Sequence, residues 1–524
     1  MAWNAGFWSI VPPILAIACA LITKEVIFSL ILGVLSGTTI YAVLQGTGVF
    51  GVFDQTITLM GGKIADNIYI ILFLCLLGIL VTLVAKAGGS KAYGEWASKK
   101  LKGKRSASLA TSALDLMFFI DDYFNCLTVG TVMRPVTDKF KISREKLAYL
   151  IDATAAPVCI IAPISTWAAS VISNLPASAG NGMTAFISAI PMNLYAILTL
   201  IMVISMGARK DADFGPMAKA QINAEKGIIN AANGGAAEEE MKKHVKENAT
   251  GKVIDLVLPI VVLIVAAVVS MLYFGGLFTG ETSTLFDAFG NTDSAKALSM
   301  GGFVALLFTF IFYMLRRVLT FKEFFGSIND GISSMVPACA ILTMAWAIGG
   351  VCRDLLNTGG YVSHLVETSG IPVQLLAPII FLVGCALSFA TGTAWGTFSI
   401  LIPIVTDLCA QAAPELLITC LAATLAGSVF GDHCSPISDT TILASTGAAC
   451  DHISHVKTQV PYALTVAACC FIGYIVAGFT GATGYSFSVI VTLAVSVGLE
   501  VILLIVLPKM FGMKKLRAKE VSNS

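Results

Sequence analysis

Residues 427–441 read GSVFGDHCSPISDTT, and they interrupt a long apolar run in the second half of the chain. Gly431 lowers the cost of bending a helix and Pro436 removes a backbone hydrogen-bond donor, so we expect the helix to unwind here. Unwinding frees backbone carbonyl groups, and the side chains of the stretch add oxygen atoms of the kind that a hard cation such as Na⁺ prefers. The stretch therefore predicts a broken helix that binds a cation, although Asp432 would also suit the N-cap of the half-helix that follows.

The composition around this stretch is that of a membrane protein. Hydrophobic residues make up 56% of the 524 residues and charged residues 12%, and the mean hydropathy is +0.84. Runs such as 254–274 and 487–507 hold about the 20 apolar residues that span a bilayer, which excludes a soluble globule. The run 7–22 has no basic segment before it, so we expect it to remain as a first helix rather than to be a cleaved signal. A net charge of +1 gives no reason to expect nucleic acid, and membrane lipid is the expected surrounding.

Five clusters of Lys and Arg predict the topology. They lie at residues 86–105, 134–146, 209–252, 316–322 and 509–519. By the positive-inside rule these clusters face the cytoplasm. We therefore expect a multi-pass protein of the cell (inner, cytoplasmic) membrane, with its N-terminus outside and its C-terminus in the cytoplasm.

Two apolar stretches do not fit a single crossing. Residues 106–133 lie between two basic clusters, so both ends face the same side and the stretch should be a re-entrant hairpin with Asp121 and Asp122 near its tip. Residues 372–406 are flanked by segments without Lys or Arg and should enter from the opposite side, with residues 391–396 (TGTAWG) in the middle. Irregular backbone at membrane depth is tolerated only where protein or a water-filled cavity covers it. The two tips are therefore expected to lie at a site.

The spacing of these features predicts an inverted repeat. Asp121 and Thr391 lie 270 positions apart, and Ser165 and Ser438 lie 273 apart. We expect an all-α polytopic fold with about eleven transmembrane helices, two re-entrant hairpins and two broken helices. Its predicted segments are an extra N-terminal helix (1–23), the first inverted repeat (24–206), a cytoplasmic linker (207–252), an extra helix with an external loop (253–296), the second inverted repeat (297–480), and a last helix with a basic cytoplasmic tail (481–524).

Charged residues inside apolar spans cost roughly 2.5–3.5 kcal/mol each on insertion scales, so they persist mainly where function or pairing retains them. They cluster here in the first hairpin with the helix that follows it, and in the broken stretch. The candidate ligands for Na⁺ are Asp432, Ser435, Ser438, Asp439, Thr440, Ser165 and Thr166. The candidates for binding a proton or a substrate are Asp121, Asp122, Asn125, Asp152, His433, Thr391, Thr393 and Trp395. Packing alone would also explain Trp395, and an interior hydrogen bond would explain His433.

Three segments resemble the NhaC-type Na⁺/H⁺ antiporter family: GDHCSPISDTT at 431–441, FIDDYFNCLTVG at 119–130 and PACAILTMAW at 337–346. That family is placed in the ion transporter superfamily, whose fold has inverted repeats, each with a re-entrant hairpin and a broken helix. The resemblance implies secondary transport coupled to Na⁺ or H⁺, with an elevator-like movement of the hairpin and broken-helix domain. It also makes a homodimer plausible. It leaves the substrate open, because members are assigned to Na⁺/H⁺ exchange or to malate/lactate exchange, or are suspected of carrying amino acids.

We therefore expect Na⁺/H⁺ antiport by resemblance, with transport of a small amino acid or carboxylate as the alternative. No GxSxG, HExxH or Walker A motif is present, so an enzyme is not expected, nor a cofactor beyond the coupling ions. A channel is a remote alternative. His452 and His455 could be a pair of metal ligands, but a polar loop is favoured because no second ligand pair accompanies them.

Overall fold

The computed structural model is built almost entirely of helices. It describes residues 5–23, 25–119, 122–163, 165–175, 182–229, 251–282, 284–358, 360–361, 364 and 372–523. In these ranges there is no β-strand, and a lone β-bridge joins Phe214 to Gly512. The prediction of an all-α polytopic membrane protein is confirmed.

The first half of the chain contains twelve α-helices in its described part. Their bounds are α1 Val11–Thr23, α2 Val26–Gln45, α3 Gly48–Asp66, α4 Ile68–Lys86, α5 Gly89–Lys100, α6 Lys104–Met117, α7 Asp122–Lys139, α8 Arg144–Ile161, α9 Thr166–Asn174, α10 Gly182–Ala189, α11 Leu194–Ala208 and α12 Gly215–Glu225. Helices α6 and α7 form the first hairpin. Helices α8 and α9 form a broken helix, in which the first part ends at Ile161 and the second begins at Thr166.

The second half again contains a hairpin followed by a broken helix. Its helices are α13 Ile254–Phe274, α14 Leu285–Asn291, α15 Ser294–Arg316, α16 Phe321–Gly350, α17 Leu376–Thr391, α18 Ala394–Ala412, α19 Leu417–Cys434, α20 Asp439–Ala448, α21 His452–Thr480, α22 Tyr485–Phe511 and α23 Met513–Asn523. Helices α17 and α18 form the second hairpin, and α19 and α20 form the second broken helix. Helix α1 packs on α2, and α13 packs on α15.

The two breaks have the same local cause. Ser438 accepts a hydrogen bond from the backbone N–H of Thr441 (3.3 Å) and caps α20, and Ser165 accepts one from Ala168 (3.0 Å) and caps α9. A serine N-cap satisfies one of the free N–H groups with which a helix begins. Ser438 therefore holds the capping position for which Asp432 was the alternative, and the carboxylate of Asp432 is left for another role.

Both hairpins return to the end from which they enter. The two ends of the first hairpin both contact Glu225, which binds Lys104 through its carboxylate (2.6 Å) and Lys141 through its backbone carbonyl oxygen (3.3 Å). The second begins and ends near the C-terminal end of α21, where Gln374 lies against Gly478 and Leu416 against Gly481. Since α21 starts beside the first hairpin's foot, where Arg144 donates to the carbonyl oxygen of Ala449 (3.1 Å), the two hairpins enter from opposite ends. This is the inverted arrangement that the spacing predicted.

Ion pairs gather the five basic clusters at one end of the bundle, which we call the basic end. Besides Lys104 with Glu225, the pairs are Arg517 with Glu225, Lys146 with Asp213 (2.8 Å), and Arg316 with Asp255, whose backbone packs against Gly89. Charged groups concentrate outside a bilayer, so this grouping fits a single polar face of the bundle.

Eight helices of the described part are long and apolar enough to cross a membrane, or nine if the bent pair formed by α10 and α11 is one span. This criterion omits α1, which is too short, and the broken helix formed by α8 and α9. It includes α17, which is one arm of a hairpin. The number of eleven crossings stays a prediction, as do the segment boundaries.

Two hydrophobic cores position the site. One is formed by α8 to α11 together with α17 to α19, α21 and α22, and the other by α4, α6 to α8, α13, α15, α16 and α20. Helix α8 contributes to both. Helices α4 and α16 cross where Gly78 faces Gly331, so closely that a Cβ on either glycine would overlap the backbone of the other helix.

Candidate functional site

The break between α19 and α20 places two buried carboxylates close together at the centre of the molecule. Asp432 lies in the last turn of α19 and Asp439 is the first residue of α20. Neither carboxylate oxygen of Asp432 accepts a hydrogen bond from a described residue, although the hydroxyl of Ser438 approaches it. Asp122 and Asp152 lie near enough to interact with its charge. A buried charge without a partner is costly, so this group of acids calls for a cation or a proton.

Asp439 links the break to the tip of the first hairpin and to α16. The hydroxyl of Tyr123, at the start of α7, donates a short hydrogen bond to Oδ2, and the backbone N–H of Thr440 donates to Oδ1 (2.9 Å). Trp346 of α16 is a further side-chain partner. Three elements therefore hold one carboxylate.

The hydroxyl groups predicted to bind Na⁺ have partners of their own. Ser435 donates to the carbonyl oxygen of Phe389 in α17 (2.8 Å) and so ties the break to the second hairpin. Ser438 and Thr440 share a hydrogen bond (3.1 Å). All three residues remain at the break beside Asp432, and their lone pairs stay available because a hydroxyl that donates one hydrogen bond can still accept others.

The first hairpin supplies acids but the first break does not. Asp122 is buried, and Asn125 donates to the carbonyl oxygen of Asp115 (2.9 Å) across the hairpin. Asp121 lies outside the described residues. Ser165 donates to the carbonyl oxygen of Cys159 (2.7 Å) as well as capping α9, whose first residue is Thr166.

A buried polar network joins the site to α21 and α11. Asp152 accepts hydrogen bonds from His455 (3.2 Å) and from the amide of Gln459 (2.6 Å). Gln459 also donates to the backbone carbonyl of His433, whose Nδ1 bonds the hydroxyl of Tyr195 (2.7 Å). Of the predicted proton candidates, Asp152 and His433 are therefore connected through Gln459, which the sequence did not single out.

The expectation of a polar loop around His452 and His455 is wrong. Both are buried in α21, where Asp451 caps the helix by accepting a hydrogen bond from the N–H of Ser454 (2.7 Å). His452 bonds the carbonyl oxygen of Pro436 (2.8 Å), which the break leaves free. His452 therefore supports the broken helix, whereas His455 bonds Asp152 of α8.

A cavity of about 280 Å³ opens beside Asp439, between the tips of the two hairpins and α16. Its walls carry hydroxyl groups, indole rings, two basic and two acidic side chains. The lining residues are Lys63, Asp66, Asn67, Tyr123, Ala345, Trp346, Gly349, Arg353, Thr391, Gly392, Thr393, Trp395 and Asp439. Four of the predicted residues, Thr391, Thr393, Trp395 and Asp439, therefore share one cavity.

The basic wall of the cavity was not predicted. Arg353 lies in a π-helical turn, Val351–Leu355, that ends α16, and its Nη1 comes to 2.9 Å from where a Cβ on Gly396 would be. The guanidinium group therefore lies over the first turn of α18, where Thr393 is the N-cap and the positive end of the helix dipole adds to its charge. Asp354 binds the Nε of Arg353 (3.4 Å) and the ammonium of Lys63 (2.7 Å).

Aromatic rings close the other side of the second hairpin. Trp395 packs against Trp167 of α9 with ring centroids 5.1 Å apart, and Phe398 lies 5.8 Å from both. Trp395 thus contributes both to packing and to the cavity wall, which joins the two roles that the sequence left open. The first break meets the second hairpin through these rings.

Inverted hairpins, paired broken helices and a central polar cavity define a multi-pass membrane transporter. A sequence model of the Na⁺/H⁺ antiporter family matches residues 168–479. An uncharacterized protein of Haemophilus influenzae is 41% identical over 92% of this chain and 93% of its own length. The chain belongs to the Na⁺/H⁺ antiporter family, and it is a cation-coupled transporter rather than an enzyme.

Two further relatives are similar over part of the chain. The malate-2H⁺/Na⁺-lactate antiporter of Bacillus subtilis is 29% identical over 37% of this chain and 40% of its own length. An uncharacterized Na⁺/H⁺ antiporter of Haemophilus influenzae is 30% identical over 26% of this chain and 29% of its own length.

Proposed function

We propose that this protein couples Na⁺ or H⁺ to the transport of a small organic carboxylate, which binds in the central cavity. The observation that carries the proposal is that one cavity is lined by both an acidic and a basic side chain, Asp439 and Arg353. The carboxylate would meet Arg353 and the N-terminus of α18, and the cation would lie at the break near Asp432 and Asp439.

The volume supports an organic substrate. One water molecule needs only about 10–15 Å³ of such space, and the cavity has about 280 Å³. A bare cation needs a close cage of oxygen atoms, whereas Trp346 and Trp395 offer apolar surface to a carbon skeleton. The guanidinium group of Arg353 matches the planar, two-oxygen geometry of a carboxylate.

The two ligands would also assist each other. Asp439 belongs to the cavity wall and also lies within reach of the charge of Asp432. A cation at the break would neutralise these acids and so lessen their repulsion of a carboxylate in the cavity. Such coupling is reciprocal, since a bound carboxylate must raise the affinity for the cation by the same factor.

Na⁺/H⁺ antiport without an organic substrate is the second candidate. The family name supports it, and so does the group of acids around Asp432, which could bind either Na⁺ or protons in turn. It gives no role to Arg353 or to the volume of the cavity.

The proposal includes a topology and a movement. The basic end would face the cytoplasm, by the positive-inside rule, in the cell membrane. As the resemblance implied, the hairpins and broken helices would move as a unit against a scaffold, and we propose α4 and α16 for that scaffold. A homodimer remains an expectation.

A thermal-shift screen with the purified protein would test the substrate. Malate, lactate and a set of amino acids would be added with and without Na⁺, and one organic carboxylate should stabilise the protein more strongly when Na⁺ is present. Arg353→Gln should weaken that ligand by about 1.5–3 kcal/mol, the range for a hydrogen bond to a charged group, and Arg353→Lys should recover part of the loss. Arg317→Gln, at an exposed position outside the cavity, is the matched control.

Proteoliposomes would separate the two candidates. Uptake of the identified carboxylate driven by a Na⁺ or pH gradient would support the proposal. If no organic acid stabilised the protein, and adding Na⁺ alone released protons from loaded vesicles, Na⁺/H⁺ antiport would replace it.

A further inference from the structure

Helix α22 turns a polar face into the protein and an apolar one outward. Its buried residues recur at every fourth position, and four of the five are polar: Ser488, Thr492, Ser496, Glu500 and Leu504. The other faces carry large exposed apolar side chains, such as Ile490 (67% exposed) and Ile502 (57%). In a membrane the exposed faces meet lipid, so the polar row is enclosed between α22 and its neighbours.

The part of this row nearer the C-terminal end of α22 lacks hydrogen-bond partners among the described residues. Ser488 bonds the hydroxyl of Thr480 (2.9 Å), but the hydroxyl groups of Thr492 and Ser496 and both carboxylate oxygens of Glu500 have none among the described residues. Glu500 is fully buried. Burying an ionised carboxylate without a partner costs several kcal/mol, so Glu500 must gain a ligand or lose its charge.

No basic side chain in the described part of the chain is placed to neutralise Glu500. The titratable groups near it are the phenol of Tyr149 on α8 and the thiols of Cys469 and Cys470 on α21. The titratable residue of helix α11 is Tyr195, which lies further from Glu500, beside Tyr149 and Cys470. Lys509 lies nine residues along the same helix, about 13.5 Å away at 1.5 Å per residue, and the basic residues of α23 lie beyond it.

Arg209, which follows α11, comes to within one helical turn of Glu500 but is engaged elsewhere. Pro508 has no N–H to bond the carbonyl oxygen of Leu504, four residues earlier, and Arg209 donates to that oxygen instead (2.7 Å). The guanidinium group thus marks where the polar row reaches the basic end.

We propose that Glu500 binds and releases a proton during the transport cycle, at a site on α22 separate from the central cavity. The step is a plain protonation: a carboxylate oxygen takes a proton from hydronium that arrives from the basic end, one O–H bond of hydronium breaks as the carboxyl O–H forms, and a water molecule leaves. Ser496 and Thr492 continue the row at intervals of about 6 Å, one hydroxyl group per turn. The inference rests on the proposed function only in that the cycle must be coupled to H⁺.

Labelling with dicyclohexylcarbodiimide would detect the protonated acid in the purified full-length protein. A carboxyl group adds its oxygen to the central carbon of the reagent and its proton to a nitrogen, and the adduct rearranges to a stable N-acylurea that mass spectrometry locates. Labelling of Glu500 should decrease as the pH is raised and be unaffected by Na⁺. Absence of labelling at every pH, or protection by Na⁺ at constant pH, would overturn the proposal. Glu415, which is exposed, is the control for the reagent's preference for apolar surroundings.

Transport in proteoliposomes would test the role in coupling. Glu500→Gln should lose the acceleration by an imposed pH gradient, Glu500→Asp should keep part of it, and both should still be stabilised by the cavity ligand. A Glu500→Gln protein with the full wild-type response to pH would overturn the inference. If no cavity ligand were found for the wild type, the proposed function would fail instead. Should Glu500→Gln not fold, the labelling of the wild type decides alone.

Discussion

Asp432 has a carboxylate that no described residue neutralises, at the centre of a chain that is mostly apolar. Its neighbours Asp439, Asp152 and Asp122 are also acids, so the site as folded repels anions and attracts cations. Only Asp439 among them also reaches the cavity. Asp432 is therefore the residue at which cation binding can be tested with least disturbance of the substrate.

Replacing Asp432 with Asn should abolish the coupling. Loss of one partner of a buried charge pair costs about 3–5 kcal/mol, which corresponds to roughly a hundredfold or more in the concentration of Na⁺ or H⁺ needed for half-maximal transport. The measurement is uptake into proteoliposomes across a series of Na⁺ concentrations and pH values. Asp54→Asn, at an exposed position of α3 that is not among the residues lining the cavity, should behave as the wild type. Unchanged cation dependence in Asp432→Asn would remove Asp432 from the site.

The sequence could identify the residues that are rare in apolar runs. Asp432 and Asp439 stand out because charges are costly in an apolar run, and Glu500 could have been found by the same signal within the run 487–507. Arg353 could not. It comes after α16 in a segment that reads as a loop, and only the fold brings it over Gly396.

The two broken helices have a common design and different chemistry. Each has a serine N-cap at its second half, Ser165 for α9 and Ser438 for α20. The second hairpin touches both, through Trp395 with Trp167 and through Gly392 with the backbone of Ile437. Contact between a hairpin tip and a break is therefore what shapes the site.

Gly392 is the position where this contact tolerates no side chain. Its φ of +68° is left-handed, and a Cβ there would overlap the carbonyl oxygen of Ile437. Gly392→Ala should abolish transport, as measured by uptake, and lower the melting temperature. Gly46→Ala separates the two causes, since Gly46 has nearly the same φ (+70°) but nothing within 4 Å, so its cost should be only about 1–2 kcal/mol of backbone strain. Equal effects of the two substitutions would mean that the contact with Ile437 is unimportant.

For single elements, the sequence predicted that the hairpins and breaks exist better than it predicted how individual helices begin and end. The hairpins and breaks were found from charge patterns and from Gly and Pro, which act locally and leave a visible signal. The capping of α21 by Asp451 was missed because histidines near a cysteine resemble a loop. The π-helical turn after α16 was missed because nothing in its composition distinguishes it from an ordinary helix end.

On the scale of the whole molecule, Glu225 fastens distant parts together at the basic end. It binds Lys104 and Lys141 at the feet of the first hairpin and Arg517 of the last helix. Partial burial alone would raise its pKa, but Lys104 and Arg517 outweigh that effect and hold the pKa of Glu225 below its usual value.

This pairing predicts a pH dependence of stability. A lowered pKa means that the pairing stabilises the fold above the unfolded-state pKa, about 4.3, and that this contribution disappears as the pH falls through the lower folded-state value. Glu225→Gln should therefore lower the melting temperature in detergent at neutral pH, and the difference from the wild type should vanish in acid. Glu415→Gln should show no such convergence, because Glu415 is exposed. A constant difference at all pH values would contradict the assignment to charge pairing.

The grouping of the basic clusters was the most predictable property at this scale. The sequence predicted that all five share one side, and ion pairs bring them together at the basic end, whereas the number of crossings stays a prediction. The mutual approach of the two halves was not predictable, because it depends on which glycines of two distant helices meet.

The crossing of α4 and α16 at Gly78 and Gly331 is a contact between backbones. Such a contact has no rotamers to freeze when it forms and none to exchange once formed. Two helices joined in this way behave as a stiff frame, in which a displacement meets the hard repulsion of main-chain atoms. The boundary between α16 and α20, where Trp346 meets Asp439 through side chains, can change by single torsions and is the more compliant joint of the molecule.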